Sequence, residues 1–146
     1  MKFLVINGPN LNLLGRREPD IYGKRDYAAL CEHIQASAAQ HDVAVNIMQT
    51  NHEGAIVDAI QDALGKYDGI VINPAAYTHT SVAIADAIAA VEIPTAEVHL
   101  SDVDAREDFR RLSYVTPVCV LRVKGLGFDS YSQAIAQLAE HIRTNG

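Results

Sequence analysis

Gly69-Ile-Val-Ile-Asn73, closed by Pro74, is the stretch that decides the fold. It is apolar without interruption up to Asn73, where a strand with one wet face would alternate. A strand of this kind is covered on both faces, which points to a parallel sheet held between two layers of helices. The sequence on either side supplies the remaining elements. Upstream, Lys2-Phe-Leu-Val-Ile-Asn7 reads as a buried strand, and Val43-Ala-Val-Asn-Ile-Met48, β-branched at alternate positions, as another. Tyr27, Leu30, Cys31, Ile34 and Ala38 mark one face of a helix between them. Thr50-Asn-His-Glu53 has the spacing of a capping box and opens a helix that buries Ile56, Ile60, Ala63 and Leu64 and stops near Gly65.

Downstream, a helix from about Thr80 to Val91 leads to the strand Ile93-Pro-Thr-Ala-Glu-Val-His99. A short polar helix follows around Asp104 to Arg111, then the strand Pro117-Val-Cys-Val-Leu-Arg-Val123, whose leading proline suits an edge. Gly125-Leu-Gly127 turns the chain, and Ser130-x-x-Gln133 caps a last helix with Ile135, Leu138 and Ile142 inward. Strands alternating with helices predict an α/β fold, a five-stranded parallel sheet with helices on both faces. In this length the flavodoxin-like three-layer sandwich, strand order 2-1-3-4-5, fits, with ligands beyond the C-terminal strand ends at the switch between strands one and three.

The 146 residues form one expected domain, 1–146, without repeat or linker, able to bury roughly 70% of the unfolded surface. The net charge of −6 argues against nucleic acid as the main partner. Cys31 and Cys119 match no metal or redox spacing and read as core thiols in a reducing, cytoplasmic setting. The apolar run from Phe3 to Ile6 is too short for a signal peptide or a membrane helix.

Between the first strand and the first helix lies Gly8-Pro-Asn-Leu-Asn-Leu-Leu-Gly-Arg-Arg-Glu-Pro-Asp-Ile-Tyr-Gly23, much longer than the usual connection of about 2–6 residues. Leu11, Leu13, Leu14 and Ile21 are poor choices for a solvated loop, so it reads as a lid packed partly over the strand ends. Tyr22 brings a phenol whose free pKa is near 10. A neighbouring guanidinium, Arg16 or Arg17, favours phenolate, and a shift of about two units takes roughly 2.7 kcal/mol.

Two further stretches carry chemistry. Asn73-Pro-Ala-Ala-Tyr-Thr-His-Thr-Ser81 ends the third strand and places hydroxyls and His79 near a helix N-terminus, a favourable place for an anion. Packing and capping are the plainer roles for these groups. Glu97 and His99 are two apart in a strand and face one side, so the carboxylate can orient the imidazole of a general acid or base. A mutually satisfied buried pair and a metal site of Glu97, His99 and His79 are the rival readings; no HExxH or cysteine pairing supports the metal. Arg106 and Arg110, four apart, share a helix face and either pair with nearby acids or hold a ligand's carboxylate.

Asn7-Gly-Pro-Asn-Leu-Asn-Leu-Leu-Gly-x-Arg-Glu-Pro-x-x-Tyr-Gly23, Asn51-His-Glu-Gly54, Asn73 to Ser81, Glu97-Val-His-Leu-Ser101 and Arg106-Glu-x-Phe-Arg110 together closely resemble type II 3-dehydroquinate dehydratase over essentially the whole chain. The resemblance implies cofactor-free, metal-free anti elimination of water from 3-dehydroquinate. Tyr22 would take the C2 proton, Arg17 would keep Tyr22 ionised, and Asn10 would hold a water against the enolate oxygen. His99 would protonate the departing hydroxyl, oriented by Glu97, while Asn73, His79, Leu100, Ser101 and Arg110 would bind substrate. It also implies trimers packed into a dodecamer, with Asp86 reaching a site across the subunit boundary. Asp86 lies about 200° around its helix from Ile84, so it points away from its own core beside Val82, Ala83 and Ala90.

The chain departs from the family pattern at Ala85, Asp102, Asp104, Leu112 and Lys124-Gly-Leu-Gly-Phe128, none of them a proposed chemical group. A phosphorylatable receiver domain would need acids where Asn7-Gly8 and Asn73 stand. A non-catalytic binding module of this fold would not need a poised Tyr–Arg lid together with an acid histidine.

Overall fold

The computed structural model describes residues 1–16 and 25–146. The uninterrupted apolar strands pair at the centre: β1 (Lys2–Asn7) lies parallel to β3 (Gly69–Asn73), with Phe3 opposite Gly69 and Asn7 opposite Asn73. β2 (Ala44–Gln49) flanks β1, and β4 (Thr95–Val98) then β5 (Leu121–Val123) extend the other side, giving the order β2-β1-β3-β4-β5, all parallel.

One face carries α1 (Tyr27–Gln40) and α4 (Asp129–Asn145), which bury Leu30, Ile34, Tyr131, Ile135 and Leu138 against Phe3, Val5, Val71, Ala96 and Val98. The other carries α2 (Glu53–Asp62) and α3 (Val82–Val91), with Ile56, Ile60, Ile84 and Ile88 against Leu4, Ile6, Ile70 and Ile72. Burying each such side chain contributes about 1.5–3 kcal/mol, and the period-2 alternation of the strands divides the two cores. Asp26 caps α1 by accepting the Ala29 N–H at 2.9 Å, and Ser81 caps α3 by accepting that of Ile84 at 3.0 Å.

Several local expectations are corrected. Thr50 does not cap α2: its hydroxyl accepts the His52 N–H at 3.2 Å, and His52 makes no side-chain cap. Leu64 lies past the end of α2 and is 56% exposed rather than buried. Ser130 sits inside α4, buried, and accepts the Leu126 N–H at 3.0 Å. Leu13 of the long loop is 45% exposed, whereas Leu14 packs against the α1/α4 core. Pro117 falls in a 3-10 turn, Thr116–Val118, which shortens β5 to three residues; the edge position stands. The segment from Asp104 to Arg111 is two 3-10 turns, Val103–Ala105 and Asp108–Arg111, separated by extended backbone at Arg106 and Glu107. Arg106 and Arg110 therefore do not share a helix face, although both lie near the Glu107 carboxylate, at 3.9 and 2.6 Å.

Candidate active site

The floor of the site is built where β1 and β3 end. Asn7 and Asn73 are register partners and both are buried. Buried amides need partners, and Tyr131 of α4 supplies them. Its hydroxyl donates to Asn7 Oδ1 at 2.6 Å and accepts from Asn73 Nδ2 at 3.0 Å. Asn7 Nδ2 in turn donates to the Tyr27 hydroxyl at 3.3 Å. Burial pushes the Tyr27 phenol up to about 12 and raises that of Tyr131 as well, so both stay protonated as hydrogen-bonding groups. Above this floor the loops touch backbone to backbone: Gly8 N–H donates to the Asn73 carbonyl at 2.8 Å.

Asn51, at the start of the loop into α2, ties the loops together. Its Oδ1 accepts the Asn10 N–H at 3.0 Å and Gln49 Nε2 at 3.1 Å, while its carbonyl accepts the Tyr77 hydroxyl at 2.8 Å. Asn10 is held with φ 70° and Ala75, just past Pro74, with φ 52°. A left-handed backbone is tolerated in Asn but costs Ala about 1 kcal/mol or more, a cost that recurs at functional loops. Arg17 and Tyr22 lie outside the described residues.

The acid–base pair forms as the i, i+2 spacing requires. His99, one residue past β4, places Nε2 2.5 Å from Glu97 Oε2, and both side chains are almost wholly buried. Burial alone pushes the Glu97 carboxyl up. Hydrogen bonds from His99 and Thr116, with the charges of His99 and Arg122, outweigh it and hold the carboxyl below its ordinary range. An ionised carboxylate only accepts, so Nε2 carries a proton and Nδ1 is the ring nitrogen left for a ligand. His79 is oriented in the opposite sense: its Nδ1 meets the Leu112 carbonyl at 2.7 Å, which commits Nδ1 as the donor and leaves Nε2.

The remaining candidates are divided. Leu100 and Ser101 continue from His99, with the Leu100 carbonyl accepting the Gly127 N–H at 2.9 Å. Arg110 Nε donates to Glu107 at 2.6 Å, the pairing with a nearby acid that its sequence allowed. Asp86 is exposed on the outer side of α3. Three of the positions that depart from the family pattern meet one another, since Lys124 Nζ pairs with both Asp102 and Asp104, and Asp104 also takes Arg122 at 3.0 Å. These pairs raise the Lys124 ammonium above its ordinary value. Among the described residues no helix is long and apolar enough to cross a membrane.

A floor of two asparagines at the strand switch, a carboxylate–histidine pair on the next strand and a second oriented histidine form one arrangement at the C-terminal edge of the sheet. The sequence pattern of the family described as Dehydroquinase class II matches residues 1–139. The chain belongs to that family. A 3-dehydroquinate dehydratase from Nostoc sp. is 50% identical over 143 residues, which is 98% of this chain and 97% of the relative. One from Caldicellulosiruptor saccharolyticus is 54% identical over 140 residues, covering 95% and 97%. The crystal structure of the type II dehydroquinase from Butyrivibrio crossotus superposes with a TM-score of 0.90 at 51% identity, over 94% of this chain and 97% of that one. The flavodoxin-like order 2-1-3-4-5 expected from the sequence is the order found in this dehydroquinase-family chain.

Three contributors escaped the sequence reading: Tyr131, which bridges the two asparagines, and Ser113 and Thr116, which bond Glu97. Tyr131 lies in the first turn of a helix whose periodicity marks Ile135, Leu138 and Ile142 as core. Its hydroxyl was the signal, because a wholly buried phenol must find partners.

Proposed function

We propose that residues 1–146 act as one catalytic domain that reversibly dehydrates 3-dehydroquinate to 3-dehydroshikimate by anti elimination through an enolate. The observation that carries this reading is the buried Glu97–His99 pair, in a chain whose family match covers nearly its whole length. Tyr22 removes the C2 proton as phenolate, with Arg17 supplying the adjacent positive charge. The electron pair becomes an enolate, whose oxygen is stabilised by a water held by Asn10. The enolate then collapses, the C–O bond breaks, and the departing hydroxyl takes the proton on His99 Nδ1 and leaves as water. Glu97 orients the ring and neutralises the charge it carries before transfer.

Asn73, the free nitrogen of His79, the Leu100–Ser101 backbone and Arg110 bind the carboxylate and hydroxyls. Tyr27 and Tyr131 do not compete as bases, because their phenols are raised by burial. No step calls on a metal or cofactor. The setting is cytoplasmic, supported by two free thiols, Cys31 and Cys119. The step serves aromatic biosynthesis or quinate breakdown, both of which use it.

The working form is a dodecamer assembled from trimers, in which Asp86 reaches a site on the neighbouring subunit. Support comes from the outer side of α3, where Val82 is 52% exposed and Ala83, Asp86 and Ala90 are exposed beside it. The test of the reaction is direct: purified protein is mixed with 3-dehydroquinate, and the absorbance of the conjugated enone is followed with and without chelator. A rise indifferent to chelator is expected; a flat trace overturns the reading.

A further inference from the structure

We propose that Thr116 and Ser113 are positioning residues for the acid His99, because their two hydroxyls lock both oxygens of the Glu97 carboxylate in the orientation that holds the ring. The inference rests on the role given to His99 above. Glu97 is entirely buried, and an ionised carboxylate has about four lone-pair sites, of which His99 fills one. Left open, the others would let the carboxylate rotate and would cost desolvation energy. Ser113 Oγ donates to Oε2 at 3.1 Å and Thr116 Oγ1 to Oε1 at 2.5 Å.

The direction of these bonds is fixed by what else each hydroxyl meets. Ser113 Oγ already accepts the Thr116 N–H at 3.2 Å, and Thr116 Oγ1 accepts Arg122 Nη1 at 3.4 Å. With its accepting side occupied, each hydroxyl turns its single proton toward Glu97. The register places Arg122 opposite Glu97 on the neighbouring strand, so its guanidinium reaches Thr116 from the same face of the sheet.

The same short segment also touches the second histidine. Its first residue, Leu112, accepts His79 Nδ1 at 2.7 Å, and the Tyr114 N–H donates to the Thr78 carbonyl at 3.0 Å. Residues 112–116 thus touch His79 directly at Nδ1 and reach His99 through the Glu97 carboxylate that holds its Nε2. Among the described residues, the charged or titratable groups around Glu97 are His99 at the end of its own strand, Arg122 from β5 and Cys119 from the segment before β5. Burial, with the Glu97 charge adding to it, pushes the Cys119 thiol up to about 12, so it brings no competing charge.

The test compares Thr116→Val, Thr116→Ser and Ser113→Ala with the wild type by steady-state kinetics on 3-dehydroquinate from about pH 5 to 9. Thr116→Val keeps the shape and removes the donor. It is expected to lower kcat about 10- to 100-fold, leave KM within about twofold, and move the acid limb of kcat to higher pH as Glu97 takes up a proton more readily. Thr116→Ser is expected to restore both, and Ser113→Ala to reproduce the limb shift more weakly. A Thr116→Val enzyme with wild-type kcat and acid limb overturns the proposal, whatever its melting temperature. If that variant does not fold, the same readings on Ser113→Ala decide. A wild type inert toward 3-dehydroquinate would sink the functional reading instead. The ring Nε2–H resonance of His99, followed by NMR in wild type and Thr116→Val, then decides the positioning without substrate: it is expected to move, and an unmoved resonance overturns it.

Discussion

Gly8 and Pro74 meet with no space for a side chain between them: a Cβ at position 8 would lie 2.6 Å from the Pro74 carbonyl oxygen. The obstacle is backbone at the end of β3, so it cannot swing aside. Gly8→Ala is expected to cost about 1–3 kcal/mol in urea unfolding. Because the displaced backbone leads directly from Asn73, turnover is expected to fall as well. Unchanged stability and turnover would contradict the contact.

Glu97 makes stability depend on pH in a stated direction. Its carboxyl, ordinarily near 4.5, is held lower in the folded chain. A depressed carboxyl contributes its full stabilisation above the unfolded value and loses it as pH falls through the folded one. The stability difference between wild type and Glu97→Gln is therefore expected to be level above about pH 6 and to shrink below about pH 4.5. Urea titrations across that range measure it, and a difference that grows in acid would refute the assignment.

Tyr22→Phe removes the ionisable oxygen and little else. Turnover is expected to fall by at least about 10²- to 10⁴-fold with the fold intact by circular dichroism. Arg17→Ala is expected to move the basic limb of the pH–rate profile up, toward an unassisted phenol near 10. Near-wild-type turnover in Tyr22→Phe would remove Tyr22 from the mechanism.

Lys124 is the lysine at the end of β5 that an imine mechanism would use. A Schiff-base lysine needs a lowered pKa, whereas Asp102 and Asp104 raise this one. Borohydride added with substrate is expected to leave activity intact. A reduced lysine adduct in the mass spectrum would show the opposite.

With the shared site proposed above, Asp86→Ala is expected to raise KM about 10- to 100-fold although Asp86 is exposed on the outer side of α3. Sedimentation at assay concentration accompanies the kinetics. A fully active monomer would refute the shared site.

The fold was legible because apolar continuity in β1 and β3 and helical periodicity between them are set by burial itself. Capping was less so. A Ser-x-x-Gln pattern locates a hydroxyl near a helix start, but not which residue leaves helical geometry; Phe128, at φ −60° and ψ −30°, is already helical, so Ser130 falls inside. Glu97 and His99 could be paired from sequence because a strand puts i and i+2 on one side. Thr116 and Tyr131 could not, because their partners lie 19 and 124 residues away and no local pattern encodes that meeting.

The bond from Tyr131 to Asn7 also orders events during synthesis. Asn7 leaves the ribosome 124 residues ahead of Tyr131. Until α4 emerges, the amides of Asn7 and Asn73 lack the phenol that joins them, and one side of the sheet lacks half its cover. The nascent chain can pair its central strands early, but the floor of the candidate site closes only once α4 has emerged and docked.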